Sequence, residues 1–238
     1  MIREGDSRRG AVSAAPAPMI ADGRTRVLGI AGIVGVLAFW STVSVLHVVQ
    51  SDLSPVNDFV SDYANGASGW LFPVGVIVHG VGNLAIAGGV ARELRRTPSS
   101  RLGLGMFTVA ALGLITAGIY RTDPPGVTQT TAGVVHGMAT NISFGVELVA
   151  LLLLASVFRT DPRWQDYTRS SVAMTLVAAA LSLWLVVALR MESAVGLAER
   201  AALASFTVWE FATAVRLIRR GNPRAGLLGT VTPRVPWG

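Results

Sequence analysis

The stretch TTAGVVHGMATNISFGVELVALLLLASVF, residues 130–158, carries one charged side chain, Glu147. A helix needs roughly 20 mainly apolar residues to cross about 30 Å of hydrocarbon, so this stretch is long enough to cross a membrane with some tilt. Polar side chains recur in it at steps of four, three and four: His136, Thr140, Ser143 and Glu147. Side chains at this spacing lie on one face of a helix. The segment therefore predicts a membrane span that carries a polar stripe.

The rest of the chain has the composition of a membrane protein. Of its 238 residues, 51% are apolar and only 14% are charged, and its mean hydropathy is +0.53. A soluble domain has about 25% charged residues. Six stretches qualify as spans: Val27–Val49, Ser68–Val90, Leu102–Tyr120, Thr130–Phe158, Ser170–Leu189 and Ala201–Ile218. We therefore expect an all-α, polytopic membrane protein, a bundle of six transmembrane helices.

The arginines predict the orientation of this bundle. Seventeen of the 20 arginines lie in the two tails and in the second and fourth connections, and the other connections hold Arg121, Arg190 and Arg200. Short loops rich in arginine stay in the cytoplasm. Both termini are thus predicted to be cytoplasmic, in a multi-pass protein of a bacterial inner (plasma) membrane. The net charge of +6 then suits anionic lipid headgroups, and we expect no binding of nucleic acid.

Composition also divides the chain and excludes several chemistries. Residues 1–25 are rich in Ala, Pro, Gly and Arg and are predicted to be a disordered cytoplasmic tail. Residues 26–220 form the predicted transmembrane domain, and residues 221–238 form a second cytoplasmic tail. The chain has no cysteine and no lysine, which excludes disulfides, Cys-ligated zinc, iron–sulfur clusters and a lysine Schiff base. No cofactor is predicted.

The connections that we place outside the cell are acidic. They carry six carboxylates against three arginines: Asp52, Asp58, Asp62, Asp123, Glu192 and Glu199. Such a surface attracts cations or basic molecules, or it simply marks the translocated side.

Four short motifs in and beside these connections have a recognisable order: SDY at 61–63, GIYRTDP at 118–124, GVVHG at 133–137 and GLAER at 196–200. In this order the chain resembles the bacterial six-helix membrane proteins grouped as domain of unknown function 998, over about residues 27–218. The resemblance implies the fold and the topology but no activity, since that family has none established. Members often carry a second histidine shortly after the first, and here Ala139 and Thr140 stand in that region. This difference argues against a two-histidine metal motif on the fourth helix.

Polar residues within the predicted spans fall into two layers. At about 1.5 Å of rise per residue, the outer layer holds His47 and His136 with the loop acids Asp58, Asp62 and Asp123. His79 lies near the midplane, and Asn83, Glu147 and Glu210 form an inner layer.

These layers predict an outward-facing polar pocket. The expected ligand-binding residues are Asp62, Tyr63, Asp123, His136, Glu199 and Arg200. The candidates for a catalytic role are His136, Asp123, Glu147 and Glu210. His47, His79 and His136 are weak candidates for a zinc site, because they stand singly on three helices rather than at the close spacing of most zinc ligands.

The sequence is compatible with several functions. The first is binding of a lipid or small amphipathic ligand. The alternatives are a membrane-embedded lipid hydrolase, an isoprenoid cyclase with a buried carboxylic acid, and a proton-coupled transporter or proton relay that uses the stripe from His136 to Glu147. Haem held by two histidines is disfavoured by their unequal depths. The sequence leaves open whether the protein is an enzyme and what its oligomeric state is.

Overall fold

The computed structural model describes residues 23–221, and this part of the chain is helical without strands. Its six long helices are α1 (Gly23–Val49), α2 (Leu71–Glu93), α3 (Pro98–Ile119), α4 (Thr131–Thr160), α5 (Gln165–Met191) and α6 (Val195–Arg220). A short 3₁₀ helix, Val60–Asn65, lies between α1 and α2. All six long helices are long and apolar enough to cross a membrane, which confirms the predicted all-α, six-span architecture.

The helices extend beyond the apolar stretches that predict them. Residues 23–25, which composition assigns to the tail, form the first turn of α1. The reason is a tertiary contact, because the buried Thr25 donates its hydroxyl to Glu93 Oε1 at 3.1 Å. α6 begins at Val195 rather than Ala201, since the Leu197 N–H bonds to Val56 O at 3.0 Å. The remaining tail predictions, for residues 1–22 and 222–238, lie outside the described residues.

The six helices form a ring in which each packs on its neighbours in the sequence, and α6 closes the ring on α1. α2 also reaches α6 across the centre. Because there are six spans, α1 begins and α6 ends at the same end of the bundle, which we call the terminal end. The 3₁₀ helix lies at the opposite end, which we call the loop end. α4 and α5 are the most loosely packed pair of neighbours.

In the most extensive helix–helix contact, between α1 and α2, two glycines lie against each other. A β-carbon added at Gly35 would lie 2.9 Å from the Gly82 Cα and 3.1 Å from the Val78 carbonyl oxygen. Small residues at such crossings let transmembrane helices approach closely and gain van der Waals contact. Gly35 and Gly82 therefore let α1 and α2 pack backbone to backbone.

Asp161 ties the terminal end together. This buried carboxylate accepts the Arg95 N–H at 2.9 Å and the Arg163 N–H at 3.0 Å, and so joins the α2–α3 connection to the end of α4. Burial acts against its charge, but these two N–H bonds and the nearby guanidinium groups lower the pKa of Asp161 overall. Asp161 is therefore held as a charged acceptor.

We expect Gly35→Val to lower the free energy of unfolding by about 1–3 kcal/mol, the usual cost of overpacking. The matched control is Gly105→Val on α3, because a β-carbon there meets nothing within 4 Å. Thermal unfolding in detergent measures both. Equal midpoints for the two variants would contradict the close α1–α2 crossing.

Asp161 also gives the protein an acid-dependent stability. Since its pKa is lowered on folding, its contribution is complete above the unfolded pKa of about 3.9 and is lost as the pH falls through the folded value. Asp161→Asn should therefore unfold at a lower temperature than the wild type at neutral pH, and the difference should shrink in acid. A difference that stays constant with pH would refute the charged acceptor.

Candidate functional site

Arg200 fastens the 3₁₀ helix to the loop end of α6. One of its terminal nitrogens donates to Asp58 O at 2.7 Å and to Gly196 O at 3.0 Å. The other donates to the Tyr63 hydroxyl at 3.3 Å, and the guanidinium carbon lies 5.7 Å from the centre of the Tyr63 ring. Arg200 therefore binds backbone carbonyl groups and the buried side chain of Tyr63.

This network continues to α1 through Tyr63. The Tyr63 hydroxyl accepts from Arg200 and is hydrogen-bonded to His47 Nδ1 at 2.8 Å. The chain from Arg200 through Tyr63 to His47 joins α6, the 3₁₀ helix and α1.

Two buried carboxylates hold the beginning of the 3₁₀ helix. Asp62 Oδ2 accepts the Phe59 N–H at 2.9 Å, and Glu199 Oε2 accepts the Val60 N–H at 2.7 Å. Burial raises the pKa of Asp62, and the neighbouring charge of Asp58 adds to this. The Phe59 N–H and the positive groups nearby act in the opposite direction. Both carboxylates thus have a structural partner.

His136 lies in the second turn of α4 and is buried. Its Nδ1 lies 2.8 Å from Ala117 O and 2.9 Å from Tyr120 O, at the end of α3. Carbonyl oxygens only accept hydrogen bonds, so Nδ1 carries the proton. In the neutral ring Nε2 is then left as an acceptor or base. The backbone of α3 thereby fixes both the tautomer and the ring orientation.

A cavity of about 710 Å³ opens between α4 and α5, and we call it the α4–α5 cavity. Its polar lining at the loop end includes Ser61, Thr122, His136 and Glu199. Thr140 and Asn141 follow on α4, and Ser182 lies on α5. The deeper lining is apolar: Phe144, Leu148, Ala179, Leu183 and Val186. From His136 to Leu148 it extends about 18 Å along α4, at 1.5 Å per residue.

A second cavity, of about 400 Å³, lies on the other side of His136. It is lined by the segment after the 3₁₀ helix, by the first turn of α2 and by residues 117–122. His136 lines both cavities and so forms part of the wall between them.

Only some of the predicted pocket residues line a cavity. His136 and Glu199 line the α4–α5 cavity, whereas Asp62, Tyr63 and Arg200 lie behind its wall in the network that holds the 3₁₀ helix. Asp123 lines neither cavity. Its two carboxylate oxygens accept the N–H and the hydroxyl of Thr130, each at 2.8 Å, at the start of α4.

Sequence reasoning missed the contribution of α5. Ser182 and the apolar side chains beside it line the cavity. In the sequence, Ser182 is an isolated polar residue in the otherwise apolar run 176–189. Nothing in the sequence indicates which neighbouring helix this face meets.

The predicted inner layer forms one buried cluster at the centre of the bundle, which we call the carboxyl cluster: His79, Asn83, Glu147 and Glu210. Glu210 Oε1 accepts from Asn83 Nδ2 at 2.5 Å, and Glu210 Oε2 accepts from His79 Nε2 at 2.7 Å. Glu147 is hydrogen-bonded to Glu210. Two carboxyl groups can bond in this way only if one is protonated. The ring of Phe39 stacks on His79, with 5.0 Å between the ring centres.

The histidines do not converge. His47 bonds to Tyr63, His79 to Glu210, and His136 to the α3 backbone. Within residues 23–221, no group of three His, Asp or Glu side chains is placed to hold a metal ion.

Residues 33–216, which include α2 to α5 and most of α1 and α6, match the family described as "Protein of unknown function (DUF998)". The chain belongs to this family. No curated protein and no solved structure matches it. Membership agrees with the multi-pass architecture and with the resemblance seen in the loop motifs. The family's description assigns no activity, so function has to be argued from the site.

Because Asp123 bonds Thr130 rather than facing a cavity, we expect Asp123→Ala to act on stability. It should lower the free energy of unfolding by about 1 kcal/mol, the typical value for a helix cap. In a double-mutant cycle, Asp123→Ala with Thr130→Ala should cost less than the sum of the single changes. Strict additivity in thermal unfolding would show that the two side chains do not interact.

Proposed function

We propose that the protein binds a lipid or another small amphipathic molecule in the α4–α5 cavity. The observation that carries this proposal is the graded lining of the cavity, polar at the loop end and apolar toward the middle of the bundle. A volume of about 710 Å³ lies within the range of ligand sites, which are mostly apolar with a few placed polar groups.

The polar head of the ligand would lie beside His136 and Glu199. His136 offers Nε2 as an acceptor, or as a donor when the ring is protonated, and its orientation is already fixed by Ala117 O and Tyr120 O. Glu199 is fixed by Val60 N. Groups held in this way lose little conformational freedom on binding, which favours affinity.

The apolar tail would lie between α4 and α5, against Phe144 and Leu148 on one side and Leu183 and Val186 on the other. α5 is the least buried of the six spans, and its other faces expose large apolar side chains such as Leu176 and Val187. In a bilayer these faces meet lipid. A ligand would therefore enter sideways from the membrane, with its tail already in hydrocarbon.

The predicted topology places this head site at the outer face of the membrane. The loop end carries few arginines, and the terminal end carries most of them. We accordingly propose that the ligand is drawn from the outer leaflet.

The natural absence of cysteine allows a direct test. Gly145 lines the cavity and has open space where a β-carbon would be, so Gly145→Cys labelled with an environment-sensitive fluorophore reports on occupancy. Addition of an acyl-chain amphiphile, such as a fatty acid, should shift its emission to shorter wavelength in a saturable manner. Gly105→Cys, on α3 and also in open space, is the matched control and should not respond.

Variants at the head site should separate binding from folding. On the Gly145→Cys background, His136→Ala should weaken binding about tenfold or more, the effect of losing a hydrogen bond to a charged or buried group. Asp123→Ala should bind as the parent does, because Asp123 lines neither cavity. Equal, unsaturable responses at Gly145→Cys and Gly105→Cys would refute the site.

A further inference from the structure

The carboxyl cluster has no role in the proposed ligand site, yet it places two carboxyl groups in the middle of the bundle. Its four side chains are buried, and Glu210 has no exposed surface. Three of its polar atoms have no hydrogen-bond partner among the described residues: His79 Nδ1, Asn83 Oδ1 and Glu147 Oε1. Ionisable groups in a membrane core are costly, and where they occur they commonly carry protons or ions.

The hydrogen bonds of the cluster indicate which of the two carboxyl groups carries a proton. Glu210 already accepts from Asn83 and His79 and from Glu147, so Glu210 is the carboxylate. Glu147 is then the protonated partner, and its other oxygen, Oε1, is left without a partner. The other ionisable group that faces this pair is His79 on α2. Toward the cluster, α1 contributes the Phe39 ring and α3 contributes Leu114, neither of which is charged.

We propose that Glu147 and Glu210 form an intramembrane proton-binding site that exchanges its proton with the α4–α5 cavity past Phe144. One proton is bound or released by the Glu147 carboxyl group, and no other bond changes. Release leaves Glu147 ionised beside the Glu210 carboxylate, whose own hydrogen-bond partners are His79 and Asn83.

A small cavity beside Glu147 supplies the first step of this route. Its volume of about 10 Å³ is close to the space one water molecule needs. His79, Ser143 and Thr207 line it together with both carboxyl groups. A water there would donate a hydrogen bond to Glu147 Oε1. Rotation of the Glu147 carboxyl group would then turn its O–H from Glu210 to this water, which accepts the proton.

Phe144 separates this small cavity from the large one, because its side chain lines both. Its ring packs edge-on against Phe206, with 5.7 Å between the centres and 84° between the planes. A rotation of the Phe144 side chain would join the two cavities. The Phe144–Phe206 pair thus separates the Glu147 carboxyl group from the α4–α5 cavity, which opens toward the membrane.

Infrared spectroscopy of the purified protein tests the site. At neutral pH the wild type should show the carbonyl band of a protonated carboxylic acid. Glu147→Gln should lose a component of that band that Glu199→Gln retains. Should Glu147→Gln fail to fold, Asn83→Ala serves instead, because loss of a donor to Glu210 should shift the same component. A wild type without the band, or a band unchanged in Asn83→Ala, would overturn the proposal.

Exchange into heavy water tests the route. The band of Glu147 should shift on deuteration, and Phe144→Ala should make this shift faster than in the wild type. Phe211→Ala is the matched control, since Phe211 lies on the exposed side of α6, and it should leave the rate unchanged. If Phe144→Ala and Phe211→Ala exchanged at the wild-type rate, the route past Phe144 would be wrong.

Discussion

The carboxylate of Glu210 is the constraint around which the bundle is arranged. Hydrocarbon offers no hydrogen-bond donor to an ionised group, so the donors to Glu210 come from the protein interior. They come from two other helices, His79 and Asn83 on α2 and Glu147 on α4. α2, α4 and α6 are therefore joined at the centre of the ring. Removal of one partner from such a buried set typically costs about 3–5 kcal/mol, far more than a surface contact.

This central junction explains where the bundle is open. α5 takes no part in it and holds to the ring through α4 and α6, with Trp209 Nε1 bonded to Ser171 Oγ at 2.9 Å. α5 packs more closely against α6 than against α4, and the cavity lies between α4 and α5. At the loop end, Arg200 and Glu199 hold the 3₁₀ helix over this opening. A hydrogen-bonded polar rim above an apolar slot suits an amphipathic ligand better than a compact polar one.

The sequence was sufficient for the six spans and for the inner polar layer, because hydropathy and helical spacing depend on local order along the chain. The stripe on α4 is more instructive. His136 and Thr140 face the α4–α5 cavity, whereas Ser143 bonds to Ala110 O and Glu147 to Glu210. The spacing predicted that these side chains share one face of α4. It did not predict that this face borders a cavity at one end and packs against other helices at the other end.

The loop residues were the least predictable, since their partners are distant in the sequence. Tyr63 and Arg200 are 137 positions apart, and no periodicity links them. Asp123 looked like a pocket acid because it lies in an acidic connection, yet its nearest donors belong to Thr130, seven residues later. Local turn geometry decided its role. Composition likewise did not predict the first turn of α1. The contact of Thr25 with Glu93 stabilises a helix there, although the composition of the tail favours disorder.

The most direct measurement is an experimental density map of the wild-type protein in a native-lipid nanodisc. We expect α4 and α5 to lie apart at the loop end, with elongated density between them whose wider end touches His136 and Glu199. Helices α4 and α5 packed together along their whole length, with no room for a ligand beside His136, would contradict the proposed site.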